Sequence, residues 1–314
     1  MDKKAVIALG GNAIIKPGEE GAIFEQFVHT RESLGGIEEL IRQGYKLAIT
    51  HGNGPQVGNL LIQQMAGIER GISPLPLGIL NAATEGTMGY MIEQSLQNRL
   101  HNAHIDRKVM TIITQIEVSA DDPSIANPSK PIGPFYTEAQ ATKMRADYGW
   151  TIVEDAGRGW RQVVASPMPI SIPLADDIAT LVNDGRIVIA CGGGGIPFFV
   201  TDDGELEGFD AVIDKDFASA LLAELIGADL LVILTAVHKV AVNFGKPDQR
   251  NLDTLTLDKA KAFLEAGEFP AGSMGPKMRA AIHFLERGGN EVLITSIEHV
   301  VDAMAGKTGT RLTR

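Results

Sequence analysis

Six short apolar runs without polar alternation recur along the chain: AVIALG (5–10), YKLAIT (45–50), KVMTIIT (108–114), RIVIACG (186–192), LLVILT (230–235) and EVLIT (291–295). Runs of this kind predict strands covered on both faces. Between them Phe24, Phe27, Leu34, Ile37 and Ile41 follow helical spacing, as do Val57, Leu60, Leu61 and Met65. Glycines at 44, 71, 149, 185 and 227 stand where a helix would end in a left-handed cap before the next strand or turn. The pattern predicts βαβ units building a mainly parallel sheet, an α/β fold. One stretch breaks the rhythm. From about residue 117 to 173 the chain is rich in Pro, Asp, Ser and basic residues, with a short helix and hairpin strands expected. A long insert of different texture reads as a lid or substrate subdomain, with a plain surface excursion as the competing reading.

Composition narrows the function classes. A chain of 314 residues can bury a large core in two lobes. The net charge of -11 argues against nucleic acid and against an anionic membrane surface, both of which are met by clustered Lys and Arg. Cys191, the single cysteine, lies inside the apolar RIVIACGGGG stretch and reads as a small core residue in a reducing compartment. Lysines before an apolar run imitate a signal peptide at the N-terminus, but Gly10, Gly11 and Asn12 interrupt it after five apolar residues. Glu224 and Asp229 likewise interrupt the longest apolar region, so the chain reads as cytoplasmic, with no membrane partner.

The 35 glycines exceed the usual share of about 7%. Many stand at strand ends: Gly10 and Gly11 follow the first strand, Gly52 and Gly54 the second, and Gly192 to Gly195 the fourth. Ligands of open parallel sheets bind at the carboxyl ends of strands, and glycine there lets backbone N–H groups approach an anion. One such turn alone is as well explained by tight strand-to-helix geometry, but three together point to phosphate. Neither a P-loop nor a G-x-G-x-x-G turn is present, so a P-loop NTPase and a Rossmann dehydrogenase are unsupported.

Two lysines stand at predicted helix starts, Lys215 between Asp214 and Asp216, and Lys277 in GSMGPK. A cation is unusual beside the positive end of a helix dipole, and a pair of them suggests an anion between them. Phosphoryl transfer needs such cations on several sides of the transferring oxygens. Lys130, Arg158 and Arg161 in the insert add candidate positive charge. Read singly, each is more often a surface residue, and acidic residues around Lys215 also suit a solvated first helical turn.

The segments ALGGNAI, THGNGPQVGN, NPSKPIGPFYT, EDAGRGWRQVVASP, GGGGIP, AVIDKDFASALLAE, LTAVHKV and GSMGPK, in this order, closely resemble carbamate kinases of the amino-acid kinase superfamily, across residues 5 to about 310. The resemblance implies a three-layer αβα sandwich with a small protruding lid subdomain. It assigns residues 1–185 to a lobe carrying the carbamate and phosphoryl site, with the lid at about 117–173, and residues 186–314 to a nucleotide lobe. It also implies a homodimer and reversible transfer between ATP and carbamate with Mg2+, serving arginine, agmatine or purine catabolism. Carried over by position, Gly10, Gly11, Asn12, Gly52, Asn53 and Gly54 resemble the phosphate and carbamate donors. Lys215 and Lys277 resemble the transition-state pair, Asp216 the carboxylate that organises them, and Lys130 the lysine brought by the lid. Gly193, Gly194, Thr235, Val237, Met274 and Gly275 resemble nucleotide contacts, shared with both transition-state lysines, and Asp214 a water-mediated Mg2+ contact.

Two positions depart from the family pattern: His238 stands where an acid is usual and Ala241 where an aromatic is usual, near the expected base and ribose. His101 and His104 form H-x-x-H at a predicted helix end, where favourable charge at a helix C-terminus explains them better than metal binding does. The stretch MGYMIEQSLQNRL is expected to be core or a dimer contact.

Overall fold

The structure is a computed structural model that describes residues 3–10, 14, 21–68, 70–155, 157, 159–270 and 272–314. Its centre is an eight-stranded sheet in the order Thr254–Thr256, Thr310–Thr313, Glu291–Ser296, Leu230–Thr235, Lys4–Leu9, Lys46–His51, Ile187–Ile189, Val109–Thr111. All neighbours run parallel except Glu291–Ser296 and Thr310–Thr313. All six apolar runs contribute strands to this sheet, for the reason their composition suggests. Ala5, Ile7, Leu47, Ile49, Leu230 and Val232 enter one buried cluster, and Val6, Ala48, Leu231 and Ile233 enter another on the opposite face. Alternate side chains of a strand point to opposite faces, so a strand buried on both sides must be apolar throughout. The first cluster is closed by the helices Gly35–Arg42 and Leu77–Asn102, the second by Ala175–Asn183, Lys215–Leu225 and Met274–Glu286. This is a three-layer αβα sandwich.

The periodic stretch from Phe24 to Ile41 is two helices, Ile23–Ser33 and Gly35–Arg42, meeting at Leu34. The second buries Ile37, Leu40 and Ile41 and approaches its neighbour so closely that a Cβ on Gly36 would lie 1.5 Å from Val300 Cγ1. The first buries a polar set, Gln26, His29, Thr30 and Ser33, and leaves Phe24 81% exposed. Ile23 and Val28 are exposed as well, while Phe27 packs partly on the first cluster.

Residues of the insert form a folded unit. Gln115–Val118 and Pro169–Ser171 pair antiparallel within a second, four-stranded sheet. Between them lies a three-stranded antiparallel sheet of Lys130–Tyr136, Trp160–Val164 and Ile152–Glu154. Its helix, Glu138–Tyr148, starts in a Thr137–Gln140 capping box and ends at Gly149 with φ 66°. Ile132 and Val164 pack on Val57 and Leu61 of the helix Gly54–Ile68, which fixes the small sheet beside the carboxyl ends of the central strands.

Leu231 is wholly buried mid-strand, so Leu231→Ala should lose about 2–5 kcal/mol, read as a lower denaturant midpoint with an unchanged slope.

Candidate active site

A cleft of about 1040 Å³ opens where the carboxyl ends of the central strands meet the small sheet. Gly52, Asn53 and Gly54 line it from the turn after Lys46–His51, and Gly193 from the turn after Ile187–Ile189. Asp214, Lys215 and Asp216 come from the start of one helix, Lys277 from the start of another, and Lys130 from the small sheet. The strand Lys4–Leu9 is flanked on one side by Lys46–His51 and on the other by Leu230–Thr235. That reversal of winding is the switch point at which open parallel sheets bind ligands.

The two carboxylates around Lys215 divide their work. Asp214 caps the helix Lys215–Leu225, its Oδ1 accepting from the Asp216 N–H at 3.0 Å, while its Oδ2 accepts from Lys130 Nζ at 2.7 Å. Asp216, only 2% exposed, accepts from Lys215 Nζ at 2.5 Å and from Lys277 Nζ at 3.0 Å. Burial works to raise the Asp216 pKa, but the two ammonium charges and their hydrogen bonds outweigh it and hold the carboxyl at about 2. Both lysines are therefore held by one permanent anion, each keeping some exposure to the cleft. Ser219 ties this helix turn to the sheet, donating to the Lys215 carbonyl at 2.6 Å and sharing a 2.6 Å hydrogen bond with Thr50.

Beneath the glycine turn lies a polar layer that periodicity did not reveal. Asn81, Thr84 and Glu85 are buried on the inner face of the helix Leu77–Asn102. Asn81 Nδ2 donates to the carbonyls of Gly195 at 2.8 Å and Gly192 at 3.4 Å. Asn53 Nδ2 donates to Asn81 Oδ1 at 2.5 Å and Thr84 Oγ1 at 2.7 Å. Side chains are excluded at the turn itself: a Cβ on Gly193 (φ 65°) would fall 2.2 Å from Asn53 Nδ2, and one on Gly194 (φ 100°) 2.0 Å from the Ile213 carbonyl. Cys191 is buried as its setting suggested, in a left-handed conformation (φ 53°), its N–H donating to Thr114 Oγ1. Burial, and secondarily Glu85, push its thiol well above the usual range.

Two titratable groups underlie this layer. Burial pushes His51 down to about 4, opposed by a hydrogen bond with the Gly52 carbonyl and reinforced by the charge of Lys215. Burial raises Glu85 to about 8 against the lowering effect of its hydrogen bond from the Thr114 N–H. A signal for these residues existed in the sequence: Asn81, Thr84 and Glu85 stand at i, i+3 and i+4, one helical face. That spacing serves a solvated face equally well.

The other sequence candidates are spread around this core. Gly10 follows the first strand, where an added Cβ would lie 3.0 Å from the Leu234 carbonyl oxygen, while Gly11, Asn12 and Arg158 lie outside the described residues. Arg161 lines the cleft, 3.6 Å from Asp155 and over the Phe135 ring. Gly194 shares the glycine turn with Gly193. Thr235 and Val237 sit at the end of Leu230–Thr235, and Met274 and Gly275 begin the helix Met274–Glu286, where the cleft is lined instead by Gly272, Ser273, Pro276 and Lys277. His238 faces His299, ring centroids 5.6 Å apart, and Ala241 is buried in a short strand. His101 ends the long helix, with His104 just beyond it at φ 54°. Among the described residues no group of three His, Cys, Asp or Glu side chains is arranged to hold a metal.

Residues 3–296 match the Amino acid kinase family. The chain is 48% identical over 314 residues to the carbamate kinase of Thermococcus kodakarensis, covering 99% of each chain. It is 46% identical over 313 residues to the carbamate kinase of Pyrococcus furiosus, again covering 99% of each. Among solved structures, the carbamate kinase from Giardia lamblia bound to AMP-PNP superposes with a TM-score of 0.91 at 42% identity, covering 99% of this chain and 98% of that one.

Glu85 yields a pH signature. Its native pKa lies above the unfolded value of 4.5, so its contribution to stability is present below 4.5 and is lost as pH rises through about 8. Glu85→Gln should match the wild-type melting temperature below about pH 4.5, exceed it by a margin that grows between about pH 4.5 and 8, and keep that margin unchanged at higher pH, as read by thermal melts across pH.

Proposed function

The chain belongs to the amino acid kinase family, and from that premise we propose that it is a carbamate kinase, a phosphotransferase with a carboxyl group as acceptor. It moves a phosphoryl group reversibly between ATP and carbamate, so that ADP and carbamoyl phosphate give ATP and carbamate. The observation that carries the reading is Asp216 gripping Lys215 and Lys277 at the starts of two helices in one cleft.

The residues then divide by charge. A carbamate oxygen attacks the terminal phosphorus as its bond to the ADP oxygen breaks, and negative charge spreads over the equatorial oxygens. Lys215 and Lys277 neutralise that charge, and Asp216 keeps both as ammonium ions aimed from one side. Carbamate is already an anion, so its oxygen attacks without a general base. Lys130 serves the substrate from the lid, residues 117–173, over a carbamate lobe of 1–185. Residues 186–314 take the nucleotide, with Gly193, Gly194, Thr235, Val237, Met274 and Gly275 as its contacts. Backbone N–H groups at Gly10, Gly11, Asn12, Gly52, Asn53 and Gly54 cradle phosphate and carbamate oxygens.

Mg2+ commonly binds through one or two carboxylates together with substrate phosphates, so a cleft without a closed set of protein ligands suits it. Asp214 is the carboxylate at hand, already shared with Lys130. Bound there with the nucleotide, Mg2+ would supply further positive charge on the phosphate oxygens. The reading extends to a cytoplasmic enzyme making ATP from carbamoyl phosphate in arginine, agmatine or purine breakdown. It also extends to a homodimer. Phe24, Val28, Ile79 and Tyr90 are exposed on two helices joined by the Phe27–Tyr90 contact, an apolar face of the kind a second copy covers.

ATP formation from carbamoyl phosphate and Mg-ADP tests the activity. Wild type should turn over, and Lys215→Ala should lose on the order of 10³-fold in kcat, the scale of a cation at the transferring phosphoryl group; a folded wild type without turnover discards the assignment. For the dimer, Phe24→Glu should shift the sedimenting species to monomer, whereas a wild type that already sediments as a monomer removes the proposal.

A further inference from the structure

The hydrogen-bond network under the glycine turn fixes the orientation of the Asn53 amide without ambiguity. Asn81 reaches two backbone carbonyls, which only accept, so the atom facing them is Nδ2 and its other face is Oδ1. The Asn53 atom 2.5 Å from that oxygen must then be nitrogen. Thr84 agrees: its hydroxyl donates to the Asn81 carbonyl at 2.7 Å and so accepts from the same Asn53 nitrogen. Both N–H bonds of the Asn53 side chain are consumed in this clamp. Its Oδ1 is left over, and among the described residues no group donates to it. Asn53 nevertheless lines the cleft.

An acceptor there is unusual, because the surroundings are arranged for anions. The cleft's carboxylates are each held by a cation: Asp214 by Lys130, Asp216 by Lys215 and Lys277, Asp155 by Arg161, and Glu286 by Lys261. Among the described residues Asn53 Oδ1 is thus an oxygen without a donor, on a cleft-lining residue whose amide is fixed by buried partners, and it suits a substrate N–H. Carbamate and carbamoyl phosphate carry an NH2 group; acetate and acetyl phosphate, of nearly the same shape and charge, have a methyl group in its place.

We propose that Asn53 accepts a hydrogen bond from the carbamoyl NH2 group through its side-chain oxygen, and that this contact separates carbamoyl from acyl substrates. The proposal rests on the carbamate kinase reading and adds the residue that sets its specificity. Asn81 and Thr84 act through Asn53 as positioning residues, and Gly193 leaves the clamp the room it needs. A buried acceptor offered a methyl group stays unsatisfied, which is the kind of mismatch that discriminates strongly between near-isosteres.

The test is the ratio of the acetyl phosphate inhibition constant to the carbamoyl phosphate KM, measured during ATP formation from Mg-ADP in wild type and in Asn53→Ala. Wild type should favour carbamoyl phosphate, and the ratio should fall by at least about tenfold in the variant, the weight of one hydrogen bond to a desolvated group. Asn53→Ser, which keeps a polar group in the clamp, serves as the second variant if the alanine protein does not fold, with the same fall expected. If carbamoyl and acetyl phosphate weaken together and the ratio stays constant, Asn53 is structural or holds the metal, and the proposal is overturned. A wild type that does not use carbamoyl phosphate overturns the carbamate kinase reading and this inference together; turnover with an unaltered ratio overturns this inference alone.

Discussion

The site depends on one buried carboxylate shared by two lysines. Each lysine stands in the first turn of a helix, where the dipole repels a cation, and each is drawn out of bulk water. Without Asp216 between them two like charges would converge on a dry cleft floor. With it, the cluster carries one net positive charge, and the remaining field points toward the opening. The same contact sets the backbone, because Asp216 can reach both ammonium groups only if the helices Lys215–Leu225 and Met274–Glu286 begin side by side above the sheet. Their packing against each other through Ala218, Leu222, Met278 and Ala281 in one core supplies that alignment.

Below this charged floor the chemistry changes to neutral hydrogen bonding. Asn53, Asn81, Thr84 and Thr114 hold the turns after two strands with amides and hydroxyls, and His51 is held neutral by burial. The separation has a physical basis: a charge deep in the core costs far more than a satisfied amide, whereas a cation near the opening recovers its cost by meeting substrate. The glycine turn is the boundary. Its carbonyls at Gly192 and Gly195 are tied down to Asn81, and Gly193 lines the cleft.

Much of this was legible in the chain. Strands buried on both faces admit only apolar residues, so all six runs were found, and the glycines and N-terminal lysines marked the cleft from Gly52 to Lys277. Periodicity failed where it reports sidedness without naming the partner. Phe24 and Ile37 belong to one helical pattern, yet Ile37 meets the core and Phe24 meets solvent, because the chain turns at Leu34. Asn81, Thr84 and Glu85 were passed over for the converse reason: polar residues at helical spacing describe a wet surface as well as a buried network. What separates the two is the bare backbone of Gly192 to Gly195 lying across them, a long-range fact that no local window holds.

The Lys130–Asp214 pair differs in kind from the Asp216 cluster. Lys130 and Asp214 keep 33% and 17% of their side-chain exposure, against 2% for Asp216. A partly solvated ion pair is worth about 0–1 kcal/mol, so the Lys130–Asp214 contact can open at little cost. Breaking a contact to Asp216 would strand a buried charge, a penalty of about 3–5 kcal/mol. The lysine carried by the small sheet is therefore the exchangeable cation, and the two on the helix starts are the fixed ones. The cleft thus holds two kinds of cation, a pair fixed by a buried carboxylate and one whose ion pair opens at little cost.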